Sequence, residues 1–359
     1  MKTSSAGKLV IALDAMGGDH APHAVLAGAA RALTVYPDLA FLIFGDESQI
    51  KSSLNAFPKV RQASTLHHTA DKVAADAKPS SALRHGRNSS MRLAINAVKD
   101  ERADGMISAG NTGALMAMAK FVFKTLPGID RPAIASLFPT LRGQSVLLDL
   151  GANIECGADN LFQFAIMGHA FARAVLGLKE PSVGLLNVGE EEMKGNESVR
   201  SAYALLKESV IAANFYGYVE GNDIAEGTTD VIVTDGFTGN VALKTAEGTG
   251  KICKHFMKQA FTESLLSRLG AMLAYFSLKK LSSRIDPRLY NGAMFLGLNG
   301  VAVKSHGSAD AVAFANAIGV AVELAANNVN QKIIEELTQA SKNTIPVVEK
   351  ADTVLEGKS

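Results

Sequence analysis

The chain has 359 residues, 47% apolar and 20% charged, enough for one large α/β core or two lobes. A net charge of +1, 6% aromatic residues and no Trp supply neither a global field nor a stacking platform for nucleic acid. Cys156 and Cys253 are the only cysteines, which excludes a disulfide scaffold or a four-cysteine zinc site and fits a reducing compartment.

The N-terminus enters an apolar strand at 8–13 without the h-region of a secretory signal, so a cytoplasmic protein is expected. No run of ~18 apolar residues suggests a bilayer span. Pro22 suits the first turn of a helix reaching about residue 35, and a second strand covers 41–44. After a more polar stretch, Ser89 and Ser90 precede the amphipathic MRLAINAVKD and offer a helix cap. A strand at 105–108 passes into a helix at 113–123, and strands at 133–138 and 145–150 lie close enough to be neighbours. A long helix covers 161–176, and strands at 183–186 and 231–234 each lead into helix-like sequence. This β–α alternation, with strands too apolar for a wet face, predicts an α/β fold with a doubly wound, mainly parallel sheet covered on both sides. One catalytic domain spans 1–340, and 341–359 reads as a C-terminal extension.

Within that domain, 248–288 stands out as a protruding helical excursion, rich in Lys and Arg and in large apolar residues. It reads as two amphipathic helices meeting near Gly270. Lys254, Lys258, Leu266, Leu269, Leu273, Phe276, Lys279 and Lys280 are its candidate contacts with a dimer mate, an anionic membrane surface or an acidic protein.

Six apolar runs end in loops of glycine with Asp, Asn, Ser or Thr: LDAMGGDH, IFGDES, ISAGNTGA, LDLGAN, LNVGEE and VTDGFTGN. Ligands of open α/β sheets gather outside the carboxyl ends of the strands, so all six loops are expected along that edge. Glycine lets backbone N–H groups approach a ligand, and a helix N-terminus adds partial positive charge, so the loops suit phosphate or another oxyanion. Other chemistries find little support. GxSxG, HExxH and the GxGxxG dinucleotide fingerprint are missing, His67 and His68 read as surface residues, and Cys156 has no base beside it in sequence. A basic stretch with Lys78, Arg84, His85, Arg87 and Arg92 is either a solvated loop or a recognition element for phosphate or an acidic partner.

AMGGDHAP, SAGNTGALMA, LDLGAN, NVGEEEMKG, TDGFTGNVALKTAEG and YNGAMFLGLNGVAVKSHGSAD occur in order over about residues 8–340. In these motifs the chain resembles the PlsX phosphate acyltransferases of bacterial phospholipid synthesis. The family commonly has Gly where Glu101 ends a helix, a small departure. The resemblance implies a dimeric α/β protein related to phosphotransacetylases and isocitrate-type dehydrogenases, without an organic cofactor or an assigned metal. It implies acyl transfer from acyl carrier protein to inorganic phosphate at the membrane surface, feeding a downstream glycerol-phosphate acyltransferase.

Phosphate is partly dianionic near neutral pH and a thiolate leaves readily, so position and oxyanion donors suffice, without an activated side chain. The catalytic candidates are Asp14, Asp19, Ser108, Asn111, Thr112, Asn153, Asn187, Lys194, Asp235, Thr238, Asn240 and His306. Lys194 is the first choice for a cation near phosphate, with an ion pair to Glu190 or Glu191 as the competing role. Gly17, Gly18, Gly110, Gly113, Gly189, Gly236 and Gly239, with Arg84, Arg87 and Arg92, are candidate substrate-binding residues. A coenzyme A-dependent phosphotransacetylase-like enzyme and a non-catalytic membrane scaffold are the alternatives.

Overall fold

The computed structural model describes residues 8–284 and 286–343, so most of the C-terminal extension, 344–359, lies outside the described residues. Eleven strands form one sheet: β1 (Val10–Asp14), β2 (Ala40–Gly45), β3 (Ser64–His68), β4 (Gly105–Ser108), β5 (Ala133–Thr140), β6 (Gly143–Leu148), β7 (Val183–Leu186), β8 (Phe215–Val219), β9 (Val231–Val233), β10 (Ala293–Leu296) and β11 (Ala302–Lys304). Their order across the sheet is β3-β2-β1-β4-β11-β10-β5-β6-β9-β7-β8. The β11–β10, β10–β5 and β5–β6 pairings are antiparallel and the other seven parallel, which makes the sheet mainly parallel as expected.

Helices cover both faces. They are α1 (His23–Val35), α2 (Glu47–Leu54), α3 (Pro58–Gln62), α4 (Pro79–His85), α5 (Ser90–Lys99), α6 (Thr112–Phe123), α7 (Ala158–Val175), α8 (Glu197–Lys207), α9 (Gly221–Glu226), α10 (Gly236–Thr262), α11 (Leu265–Leu273), α12 (Tyr275–Arg284), α13 (Ala311–Ala326) and α14 (Val329–Asn343). The strands alternate their buried side chains between two apolar layers. Ile11, Leu13, Ile43, Leu148 and Val233 pack in one with Phe164, Phe171 and Phe314. Ala12, Phe44, Leu147 and Ile232 pack in the other with Met91, Ile95, Leu115 and Met118. No wet face remains because each layer is closed by helices whose apolar residues recur at helical spacing.

Several local readings hold. Pro22 stands one residue ahead of α1, Ser89 caps α5 by accepting from Arg92 N–H, and β5 and β6 are antiparallel neighbours. Glu101 has φ +56°, the left-handed conformation that favours glycine. His67 is half-buried, with its ring stacked on Phe44 at 4.8 Å, instead of lying freely on the surface. β3, β8, β10 and β11 are short elements that the pattern of the sequence did not reveal.

The helical excursion differs in its breaks. It consists of α10, α11 and α12, interrupted at Glu263–Ser264 and at Ala274, while Gly270 lies inside α11. Ser264 causes the first break by capping α11 through Ser267 N–H. Beyond Gly236 and Gly239, α10 buries no residue, and α11 buries none. Among the described residues no single helix is long and apolar enough to cross a membrane.

Candidate active site

Strand direction sorts the glycine loops into two groups. β1, β2, β4 and β11 run one way, while β6, β9 and β7 run the other, because the three antiparallel pairings intervene. The expectation of one shared edge is thereby corrected. Five strand steps separate β4 from β9. Over those five steps the right-handed twist of the sheet turns the two halves relative to each other. Electrostatics link the two groups: Lys244 and Lys251 of α10 bear on His306 after β11, and Lys244 also bears on Lys304.

Asp14 organises the first group. It ends β1 with its carboxylate buried, accepting from Ser90 Oγ and Ser108 Oγ, each at 2.6 Å, and from Met16 N–H at 3.2 Å. Burial pushes its pKa above the ordinary carboxylate range, although these hydrogen bonds pull the other way. Ser108 in turn accepts from Gly110 N–H at 3.0 Å, so Asp14 sets the start of the 108–113 loop. Gly17 fits closely over that loop: a Cβ there would stand 2.7 Å from both Asp14 Oδ2 and Gly110 N. Gly18, at φ +98°, needs the freedom that only glycine has. The exposed Asp19 is held through its N–H to Gly307 O at 2.8 Å, joining this loop to the one after β11.

Asn111 caps α6 by accepting from Ala114 N–H at 2.8 Å, and its amide donates to Ala75 O and Ala77 O. Its donors are thus engaged within the loop. The first-turn N–H groups of Thr112 and Gly113 precede the capped one and have no intrahelical acceptor, so they suit an anion. Thr112 is exposed and Gly113 half-buried.

Lys304 ends β11 opposite Ser108 in the parallel register with β4. Its Nζ donates to Ser305 O and, at 3.4 Å, to Ala109 O. Burial pushes its pKa down to about 8, partly offset by the Asp14 carboxylate. His306 is fixed by its N–H to Asn291 Oδ1 and by a 2.9 Å contact between Nδ1 and Ser308 Oγ. Burial and then Lys244 hold the imidazole pKa below its ordinary value, favouring the neutral ring.

Asp149 has the same part in the second group. Fully buried after β6, it accepts from Ile134, Gly151, Ala152 and Asn153 N–H and from Asn153 Nδ2, at 2.7–3.3 Å. Asn153 Nδ2 also donates to Pro132 O, which spends that amide inside the loop. Gly236 N–H donates to Asn153 O at 2.7 Å and Gly239 lies directly against Asp149 O, so two glycines press α10 onto this loop. Asp235 caps α10 by accepting from Thr238 N–H and Thr238 Oγ1, both at 2.8 Å. Asn240 is exposed beside Gly151. After β7, Asn187 Nδ2 closes its loop by donating to Gly189 O and Lys194 O. Lys194 is exposed at the end of that loop, 3.8 Å from Glu191, which makes Glu191 its ion-pair partner and leaves the ammonium accessible. Burial and Asp149 push the Cys156 thiol up to about 11, which keeps it protonated and a poor nucleophile.

Arg84 lies near the end of α4, Arg87 between α4 and α5, and Arg92 on α5. Ser90 faces Asp14, whereas Arg92, two residues and roughly 200° further around α5, lies over the Phe121 ring of α6 at 5.4 Å. Reasoning from sequence missed Asp149, Ser90 and Lys304. LDLGAN and VAVKSHGSAD contained two of them, and an acid or base ending an apolar strand was the available signal.

Comparisons with known proteins give the family and the fold. The family model described as a fatty acid synthesis protein matches residues 9–332. The phosphate acyltransferase of Rhodospirillum centenum is 64% identical over 332 residues, covering 92% of this chain and 94% of the relative. That of Paramagnetospirillum magneticum is 56% identical, covering 91% and 93%. Among solved structures, a phosphotransacetylase from Streptococcus pyogenes superposes with a TM-score of 0.59 at 18% identity, covering 89% of this chain and 94% of that one. The EutD phosphotransacetylase from Staphylococcus aureus gives 0.56 at 16%, covering 90% and 94%. These two likenesses establish the shared fold. With the family model matched over most of its residues and relatives matched along nearly their whole length, the chain belongs to the phosphate acyltransferase family and is an acyl-transferring enzyme.

Proposed function

We propose that the enzyme takes a fatty acyl group from acyl carrier protein and passes it to inorganic phosphate, giving acyl phosphate and free carrier thiol. An oxygen of hydrogen phosphate attacks the thioester carbonyl carbon, the tetrahedral oxyanion collapses, and the C–S bond breaks; the acyl phosphate gives up its phosphate proton to solvent and the released thiolate takes one up, so the step yields acyl phosphate and free thiol. The observation that carries this reading is the pair of buried aspartates, Asp14 and Asp149. Each holds a glycine loop rigid at a strand end, so backbone N–H groups are in place before the anion arrives. Preorganised donors in this arrangement stabilise developing oxyanion charge without reorganisation. Lys194 contributes an accessible cation from the opposing group, and neutral His306 a hydrogen-bonding ring. No resident cofactor is part of this scheme.

We place the enzyme in the cytoplasm, peripheral to the membrane, as a homodimer supplying a glycerol-phosphate acyltransferase. The support is the excursion: Leu266, Leu273 and Phe276 are each about 80% exposed beside Lys279, a pattern suited to an anionic lipid surface or a second copy. The decisive assay supplies phosphate with acyl carrier thioester and, in parallel, the same acyl group on coenzyme A, and traps acyl phosphate with hydroxylamine. Acyl hydroxamate formed preferentially from the carrier is the expected result. Product from coenzyme A alone would establish the phosphotransacetylase-like alternative, and none from either would refute the reaction.

A further inference from the structure

Charge is distributed very unevenly over this nearly neutral chain. Residues 77–99 and 105–129 contain no Asp or Glu, yet hold Lys78, Arg84, Arg87, Arg92, Lys99, Lys120 and Lys124. Of the helices in these two stretches, α4 and α5 both pack on α6, which brings Arg92, Lys120 and Lys124 together around Phe121, with Arg87 close to Arg92. None of the seven makes an ion pair among the described residues. The flanking acids are Asp71 and Asp76 before α4, Asp100, Glu101 and Asp104 between α5 and β4, and Asp130 after α6.

At the centre of this face Phe121 is 52% exposed. Arg92 lies 5.4 Å from its ring centroid and Lys124 4.8 Å, so two cations hold the ring in place. Ala117, Lys120, Phe121, Lys124 and Thr125 line a shallow concavity of about 350 Å³. Burial, and after it the like charge of neighbouring Arg87, push the Arg92 guanidinium pKa down. Such repulsion is relieved when an acidic partner binds.

The face also leads to the 108–113 glycine loop. α6 begins at Thr112 in the glycine loop, and Phe121 lies nine residues, or about 14 Å, along it. Pro79 of α4 packs against Gly113, so the start of α4 borders the same loop. An aromatic ring inside a field of one charge sign is the composition of a protein docking site, in which an anchor sits among steering charges. The excursion instead presents a row of exposed Leu, Met and Phe side chains, from Leu265 to Phe276, and so has a different chemistry.

We propose that the α4–α6 face, centred on Phe121, docks the acidic carrier protein that delivers the acyl thioester, an inference that rests on the carrier-dependent reaction proposed above. The carrier's acidic helix lies across Lys120, Lys124 and Arg92, and its prosthetic arm follows α6 to the 108–113 loop.

The test uses the full-length double variant K120E/K124E and, separately, Phe121→Ala. Both are assayed with acyl carrier thioester and with the same acyl group on pantetheine, and direct binding of unacylated carrier is measured by fluorescence anisotropy. At least a tenfold rise in KM and in Kd for the carrier is expected for the double variant, with a flatter salt dependence. Turnover of acyl pantetheine stays within twofold of wild type. Carrier KM and Kd within twofold of wild type would overturn the docking site while leaving the reaction intact. Equal losses with both donors would also overturn it, by assigning the residues to the reacting centre, as would lost binding to phosphatidylglycerol vesicles with carrier affinity unchanged. A wild-type enzyme forming no acyl phosphate from either donor would remove the underlying reaction and this proposal together.

Discussion

Replacing Lys304 with Met tests whether the end of β11 carries a buried charge held against the 108–113 loop. In the folded chain burial lowers the ammonium pKa to about 8, against an ordinary 10.5. Below pH 8 both folded and unfolded chains hold the proton, and the folded chain bears the whole cost of desolvating it. Between pH 8 and 10.5 the unfolded chain binds a proton that the folded chain has released, so wild-type stability rises with pH through that window. The gap corresponds to about 3 kcal/mol, an order-of-magnitude figure. Lys304→Met has no such group, and the remaining titrations are common to both proteins. Urea unfolding followed by circular dichroism from pH 7 to 10.5 gives the difference in stability at each pH. Wild type is expected to gain about 3 kcal/mol on the variant across the window, with most of the change above pH 8. Met also cannot donate to Ala109 O or Ser305 O, so the loop loosens and acyl transfer at pH 7.5 falls at least tenfold. Parallel pH curves for the two proteins would refute the reasoning.

Gly17→Ala puts a methyl group 2.7 Å from Asp14 Oδ2 and Gly110 N, and the backbone partner cannot swing aside. It should cost about 1–3 kcal/mol of stability and lower kcat about a hundredfold by parting the two loops; near-normal kcat would contradict the close fit. Glu336 of α14 is buried with His169 and paired to Arg173 at 2.8 Å, so Glu336→Ala should lose about 3 kcal/mol by denaturant unfolding. Its kcat should not change where the protein is folded. Lys194→Met removes only an exposed 3.8 Å ion pair, so thermal unfolding should be unaffected while KM for phosphate rises at least tenfold. A lower melting temperature with normal KM would mark Lys194 as structural.

Much was legible in the residues because it depends on near neighbours. Apolar runs of strand length, a serine before an amphipathic helix and glycine at each strand exit are local signals, and they located β1, β4, β6, β7, β9, α5 and α6. The motifs carried the family, and the loops carried the expectation of an anion site. Asn111 and Asp235 already stood at helix starts, although their capping bonds make them organisers of the loop more than free donors.

What the tertiary structure decided is which residues meet. Asp14 acts through Ser90 and Ser108, 76 and 94 residues away, and Lys304 takes its low pKa from burial beside a strand nearly 200 residues earlier. Strand order depends on long-range pairing, so neither the antiparallel centre nor the opposed directions of the two halves has a local signature. The same holds for the basic face, whose stretches are joined only where α4 and α5 pack on α6. Periodicity and turn chemistry act over a few residues and are written along the chain, whereas burial, charge coupling and loop convergence arise only when distant segments are brought into contact.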